Sequence, residues 1–199
     1  MRVGLVDCDS HNFPNLPLMK ISSYHKKLGN IVEFADLGTY YDVLYVSKIF
    51  TESKEPELPD YGVMFWGGSG YDLENRLPEE IEHCYPDYSL YPKLTKDTAY
   101  GFLTRGCPRK NHTFCITPGK DGHISRKVAD LSEFWDEQKN IVLLDQNLLA
   151  CKERMELLYQ LSESKARVDF NGGMDVRFLN EDVIEALRKI RVKEYHFAW

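Results

Sequence analysis

Apolar residues in this chain come in short runs, separated by turn-forming and charged stretches, at intervals that suit strands alternating with helices. Residues 2–7 read as a buried strand that runs into the acidic pair Asp7 and Asp9. Leu16, Met19, Ile21, Tyr24 and Leu28 fall on one helical face, and Gly29 suits the position after its end. Short strands follow at Ile31–Phe34, at Tyr41–Ser47 and at 62–66, the last closed by Gly67, Gly68 and Gly70. This order predicts a small open α/β unit with a mostly parallel sheet.

The pattern changes over residues 78–98. Pro78, Pro86 and Pro92 alternate with Tyr85, Tyr88 and Tyr91, which fits neither a helix nor a strand. The stretch reads as a connector that packs by its rings and marks a domain boundary. Beyond it, strands are expected at 99–104, 141–145, 167–170 and 193–199. Helices are expected at 131–138, with Asp130 or Ser132 at the start and Trp135 inward, at 153–162 and at 181–190, with Asn180 as N-cap. Crossover helices imply parallel pairing. Four such strands are half of a (β/α) barrel or the start of an open sheet.

Composition narrows the class. The chain has 199 residues, 43% hydrophobic and 28% charged, enough to bury a core. The net charge of −6 is interspersed along the sequence, which argues against a nucleic-acid surface. No apolar run approaches the ~20 residues that span a bilayer. The N-terminus turns acidic too early for a secretory signal, so the expected location is the cytoplasm. Five cysteines at irregular spacing do not form a disulfide framework. Cys8, Cys84 and Cys151 read as packing residues, which leaves Cys107 and Cys115 as a pair close enough to share a site.

In an α/β architecture, chemistry sits at the C-terminal ends of the strands. Those ends are the loop 105–115, the run Asp145, Gln146 and Asn147, and the run from Asn171 through Gly172, Gly173 and Met174 to Asp175. The loop is the richest, with Cys107, His112 and Cys115 within nine residues. Such a set can hold a metal, zinc included, and Arg105, Arg109 and Lys110 favour the ligating thiolate. The plain alternative is a solvated basic turn with two half-buried cysteines.

The segment from Tyr100 to Arg109, with Phe114, Cys115 and Ile116 after it, resembles the cluster loop of radical S-adenosylmethionine enzymes. In that family the loop follows the first strand of a partial (β/α) barrel and carries Cys-x3-Cys-x2-Cys, with an aromatic residue before the last cysteine. The resemblance implies a [4Fe-4S] cluster on Cys107, His112 and Cys115. S-adenosylmethionine would bind beside it, near Phe114, Asp145, Asn171, Gly172 and Gly173. Reductive cleavage to a 5′-deoxyadenosyl radical would follow, on an unknown substrate and with an external electron donor. The N-terminal unit, the Pro/Tyr stretch and Leu143-Leu144-Asp145 resemble members that carry a cobalamin-binding-type domain ahead of the barrel. The implied organisation is an open parallel-sheet domain of Rossmann/flavodoxin type at 1–77, a connector at 78–98 and a partial barrel at 99–199.

Two departures qualify the resemblance. The loop reads Cys107-x4-His112-x2-Cys115, one residue longer than the family pattern and one thiolate short. Histidine on iron raises the reduction potential and opposes a strongly reducing step. The barrel also has four strands where the family usually has about six. A degenerate relative that keeps the scaffold without radical chemistry is therefore the competing expectation. Asp9-Ser10-His11 is followed by Asn12, Phe13 and Pro14 where the cobalamin signature places its glycine, which argues against cobalamin.

Overall fold

Val3 and Leu5 alternate with smaller residues along β1 (Arg2–Asp7), and this places both on one buried face. The computed structural model describes residues 1–110 and 113–198, and the chain divides into two compact units, Met1–Lys96 and Asp97–Trp199. In the first unit β1 leads into α1 (Leu16–Lys27). Asn15 caps this helix by accepting from the Leu18 N–H, and His25, Lys26 and Lys27 lie at its negative end. Strands β2 (Ile31–Phe34), β3 (Tyr41–Ser47) and β4 (Tyr61–Gly67) complete a sheet in the order β2-β1-β3-β4, every pair parallel. Leu18 and Ile21 of α1 pack on Val3 and Leu5, while Tyr41, Leu44 and Val46 form a second buried cluster.

The Pro/Tyr stretch is built into this unit. It forms α2 (Glu79–Glu82) and α3 (Pro92–Thr95), and Ile81 joins the cluster of Val3 and Leu5. Asp87 accepts from Ser22 Oγ at 2.6 Å and pairs with Lys26 at 2.5 Å, while its N–H donates to the Met19 carbonyl. Sequence periodicity misses this because side chains reaching back to α1, not a repeat, order the segment.

The second unit contains β5 (Thr98–Gly101), β6 (Thr104–Arg105), α4 (Thr117–Asp121), β7 (Arg126–Lys127), β8 (Asn140–Leu143), α5 (Arg154–Ser164), β9 (Arg167–Phe170), β10 (Met174–Asp175), α6 (Glu181–Arg188), β11 (Arg191–Val192) and β12 (Phe197–Ala198). Its main sheet runs β11-β9-β8-β5, in chain order and parallel throughout. Two small ribbons, β6 with β7 and β10 with β12, stand apart from that sheet.

Three expected elements differ, the first being the strand at 99–104, which ends at Gly101. The helix at 131–138 is a single 3-10 turn, Leu131–Glu133, closed by a reciprocal Asp130–Glu133 cap. The Gln138 side chain then takes the Asp136 N–H and Glu137 adopts φ 65, so the chain leaves helical geometry. The final strand at 193–199 is divided: Arg191–Val192 extends the main sheet, whereas Phe197–Ala198 pairs with β10. Among the described residues, no helix is long and apolar enough to cross a membrane.

Candidate functional site

Parallel pairing puts the C-terminal ends of β5, β8 and β9 side by side, so the segments that follow them form one rim. The strand expected at 99–104 stops at Gly101, which sits so tightly on the Phe134 ring that an added Cβ would meet it at 2.3 Å. The chain then turns into β6, which pairs antiparallel with β7, and the segment between them leaves the sheet as an excursion carrying the cysteine loop.

Three contacts seat that excursion. The Gly106 N–H donates to Gln146 Oε1 at 3.2 Å, and Gln146 Nε2 donates to Asp121 Oδ2 at 2.8 Å. The Cys107 N–H donates to the Gly122 carbonyl. Gly106 has φ 94, and a Cβ there would lie 2.1 Å from the Ile124 carbonyl oxygen, so only glycine fits the base of the loop.

Asp145 is buried and its carboxylate turns inward. It accepts from the Leu103 N–H at 3.1 Å and from both the N–H and the hydroxyl of Thr104 at 2.5 Å. Burial pushes its pKa up to about 6 against those hydrogen bonds, led by that of the Thr104 hydroxyl. Asp145 thus braces the turn between β5 and β6. Gly172 packs on the same point, since a Cβ there would come within 2.0 Å of the Asp145 carbonyl oxygen. Asn171 is exposed, and the Gly173 N–H is used by the Phe170 carbonyl in a tight turn.

The residues that converge are Cys107, Asn147, Asp175, Arg109 and Arg177. Asp175 is 2% exposed and receives a two-point ion pair from Arg109, with both contacts at 3.0 Å. Arg177 adds its own guanidinium at 2.6 Å and its backbone N–H at 3.1 Å. Hydrogen bonds from Arg177, and then from Arg109, hold the Asp175 carboxyl far below the usual carboxylate range, despite burial. Asn147, also 2% exposed, donates Nδ2 to Cys107 Sγ at 3.5 Å and to Asp175 Oδ2 at 3.3 Å. Its Oδ1 is buried and accepts no hydrogen bond among the described residues. Arg109 also reaches the Ala198 carbonyl at 2.7 Å, so the loop is tied to both strands of the β10–β12 ribbon.

Of the residues expected to bind metal, Cys107 and Cys115 are free, partly exposed thiols, and His112 lies outside the described residues. Among the described residues, no three His, Cys, Asp or Glu side chains gather as a metal-binding group. Phe114 is 86% exposed. Cys84 and Cys151 are buried, as packing residues are, and Cys8 is half-buried. In the first unit His11 is exposed, and the Asp9 carboxylate accepts from the N–H groups of Ile49 and Phe50.

Asn147, Asp175 and Arg109 fall within the rim and loop segments, and Arg177 lies two residues beyond them, but nothing in their order along the chain ranks them above their neighbours. One usable signal was opposite charge: an arginine in the loop and an acid past an adjacent strand. Compared with known proteins, the chain matches no family model, no curated protein and no solved structure.

Proposed function

We propose that the second unit is a partial (β/α) barrel of the radical S-adenosylmethionine type, whose loop holds an iron–sulfur cluster for reductive cleavage of S-adenosylmethionine. The observation that carries this reading is the seating of Cys107. It lies at the C-terminal rim of a parallel sheet, beside an amide donor and within the electrostatic reach of Arg109 and Arg177. The strand order β11-β9-β8-β5 supports a barrel segment, because successive parallel neighbours wind in one direction without a switch point. The first unit, with order β2-β1-β3-β4, supports a flavodoxin-like scaffold.

The described residues supply two of the three ligands that this reading needs, and the third, His112, lies outside them. Cys107 and Cys115 are partly exposed thiols, and at Cys107 the Asn147 N–H and the Arg109 and Arg177 guanidinium groups would offset the charge of a thiolate. Cys107 and Cys115 would hold the cluster, with His112 between them in sequence. A cluster held there would supply the one-electron reduction that this chemistry needs. The chain's own residues do the rest: Arg109 fixes the loop through Asp175, Gly106 lets it leave the sheet, and the exposed residues Asn171 and Gly172 lie at the rim where S-adenosylmethionine would bind.

Anaerobic reconstitution with iron and sulfide tests the proposal. The expected product is brown, with stoichiometric iron and sulfide. Cys107→Ala and Cys115→Ala abolish the colour and Cys8→Ala leaves it, and the reduced protein converts S-adenosylmethionine to 5′-deoxyadenosine. A colourless protein without iron overturns it, and stoichiometric zinc after aerobic purification assigns the loop to a zinc site instead.

A further inference from the structure

β4 has the sequence of an interior strand but stands at an edge. Val63, Met64, Phe65 and Trp66 form an unbroken apolar run, the composition parallel sheets carry where both faces are covered. In the order β2-β1-β3-β4 it has β3 on one side and, among the described residues, no strand on the other. Its side chains are exposed on both faces. The Phe65 ring stacks on Tyr45 at 5.3 Å on the face that carries α1, and Trp66 leans on Tyr71 on the other.

Sheets blunt such edges with charge, proline or short length. The other outer strands of the two four-stranded sheets do so: β2 and β5 have four residues and β11 has two, and Glu33 of β2 pairs with Arg2 at 2.6 Å. β4 has seven residues, with no charge and no proline.

We infer that β4 pairs antiparallel with β4 of a second copy of this chain, about a twofold axis at Val63. That register sets Tyr61 opposite Phe65 of the other copy and Val63 opposite its counterpart, so the exposed rings form cross-strand pairs. On the other face it sets Met64 opposite Gly62, a position without a side chain. The ends of the strand agree in charge. Exposed Asp60 comes opposite Trp66 of the other copy, whose carbonyl accepts from Asn75 Nδ2 at 2.8 Å, and exposed Arg76 is the next residue. Antiparallel pairing therefore brings acid and arginine together at both ends, whereas a parallel partner would set like with like. Asn75 also closes the Trp66 carbonyl, which confines the new ladder to residues 61–65.

The area suffices for a second copy. Tyr40 lies across Gly62, since a Cβ there would stand 2.8 Å from its Oη. Tyr40, Tyr61, Val63, Phe65 and Trp66 are between 40% and 61% exposed, which amounts to about 500 Å² per copy. Two copies then bury about 1,000 Å², the lower bound of a specific interface, so association is expected in the micromolar range.

Sedimentation velocity of the full chain across a concentration series tests this. Monomer should give way to a single species of twice the mass, and the backbone amides of 61–65 should exchange more slowly as it forms. Val63→Lys sets two like charges face to face at the axis. It should weaken the dimer by about a hundredfold and leave the far-ultraviolet circular dichroism unchanged. Asp60→Arg and Arg76→Asp should each weaken it by about fivefold, and the double variant should restore it. A chain that stays monomeric into the millimolar range, or that grows into open-ended assemblies, overturns the inference. So does a dimer that survives Val63→Lys, that leaves the amides of 61–65 unprotected, or that the double variant fails to restore.

Discussion

At the C-terminal edge of the first sheet, Asp7 accepts from Tyr91 Oη at 2.5 Å and from the Ser10 N–H at 3.1 Å. Asp9 accepts from two backbone N–H groups, and Lys48 pairs with Glu55, which also accepts from Tyr71. At the same edge of the second sheet, Asp145 and Asp175 are likewise saturated. There, however, Asn147 Oδ1 is buried without a hydrogen bond among the described residues, and Asp121 Oδ1 faces the Arg105 guanidinium at 3.7 Å; partly exposed thiols occur in both units, Cys8 in the first and Cys107 and Cys115 in the second. Both edges follow from parallel strands ending together. The first has used its polar groups on its own loops, whereas the second keeps one buried amide oxygen, that of Asn147, without a hydrogen bond among the described residues. That contrast supports the proposal that places the chemistry in the second unit.

The sharpest way to break the contrast is to remove the ion cluster. Asp175 and Arg109 have side chains 1% and 10% exposed. Asp175→Ala should lower unfolding stability by about 3–5 kcal/mol in urea titrations, because it strands buried guanidinium charge. A loss below about 1 kcal/mol would show that the loop is anchored elsewhere.

Next in size is a pH effect in which the two rim acids act oppositely. The Asp145 pKa is raised in the fold, to about 6. The folded state therefore binds its proton more readily, and stability falls as pH rises from about 4 to 6, by about 3 kcal/mol. The Asp175 pKa is depressed, so its contribution is present above the unfolded carboxylate range, near about 3.9, and is lost as pH falls below it. Unfolding measured across pH should show the first slope vanish in Asp145→Asn and the acid loss vanish in Asp175→Asn. A flat wild-type profile between about pH 4 and 6 removes the premise that Asp145 is desolvated.

The smallest effect tests the first edge. Tyr91→Phe removes one hydrogen bond to Asp7 but leaves the Ser10 N–H in place, and should cost about 1.5 kcal/mol. Iron loading of the second unit should not change. Any loss of iron in this variant would contradict the division of labour between the two edges.

Much of the fold was legible in the pattern of residues. Ile31–Phe34, Tyr41–Ser47 and Arg167–Phe170 fall where β-branched and aromatic runs predict strands, and Asn180 caps α6 through the Val183 N–H. The misses share a cause. Residues 78–96 are ordered by Asp87 and Ile81 contacting α1 and β1, residues distant in sequence. The turn at Leu131–Glu133 ends because a single glutamine side chain and a positive φ divert the chain. The ribbon of β10 with β12 consists of two-residue strands, too short to leave a period.

The candidate site divides the same way. Local chemistry in the chain singled out the loop with Cys107 and Cys115 as the candidate, with a glycine at its base and polar residues after the strands beside it. Tertiary structure alone decided which of those polar residues matter. Asp145 turned inward to brace a turn, while Asn147 turned toward Cys107 and Asp175 drew Arg109 from 66 positions away in sequence. Composition and spacing describe what a rim contains. Which side chain faces the sulfur depends on how neighbouring strands align, and that is set by packing between segments far apart in the chain.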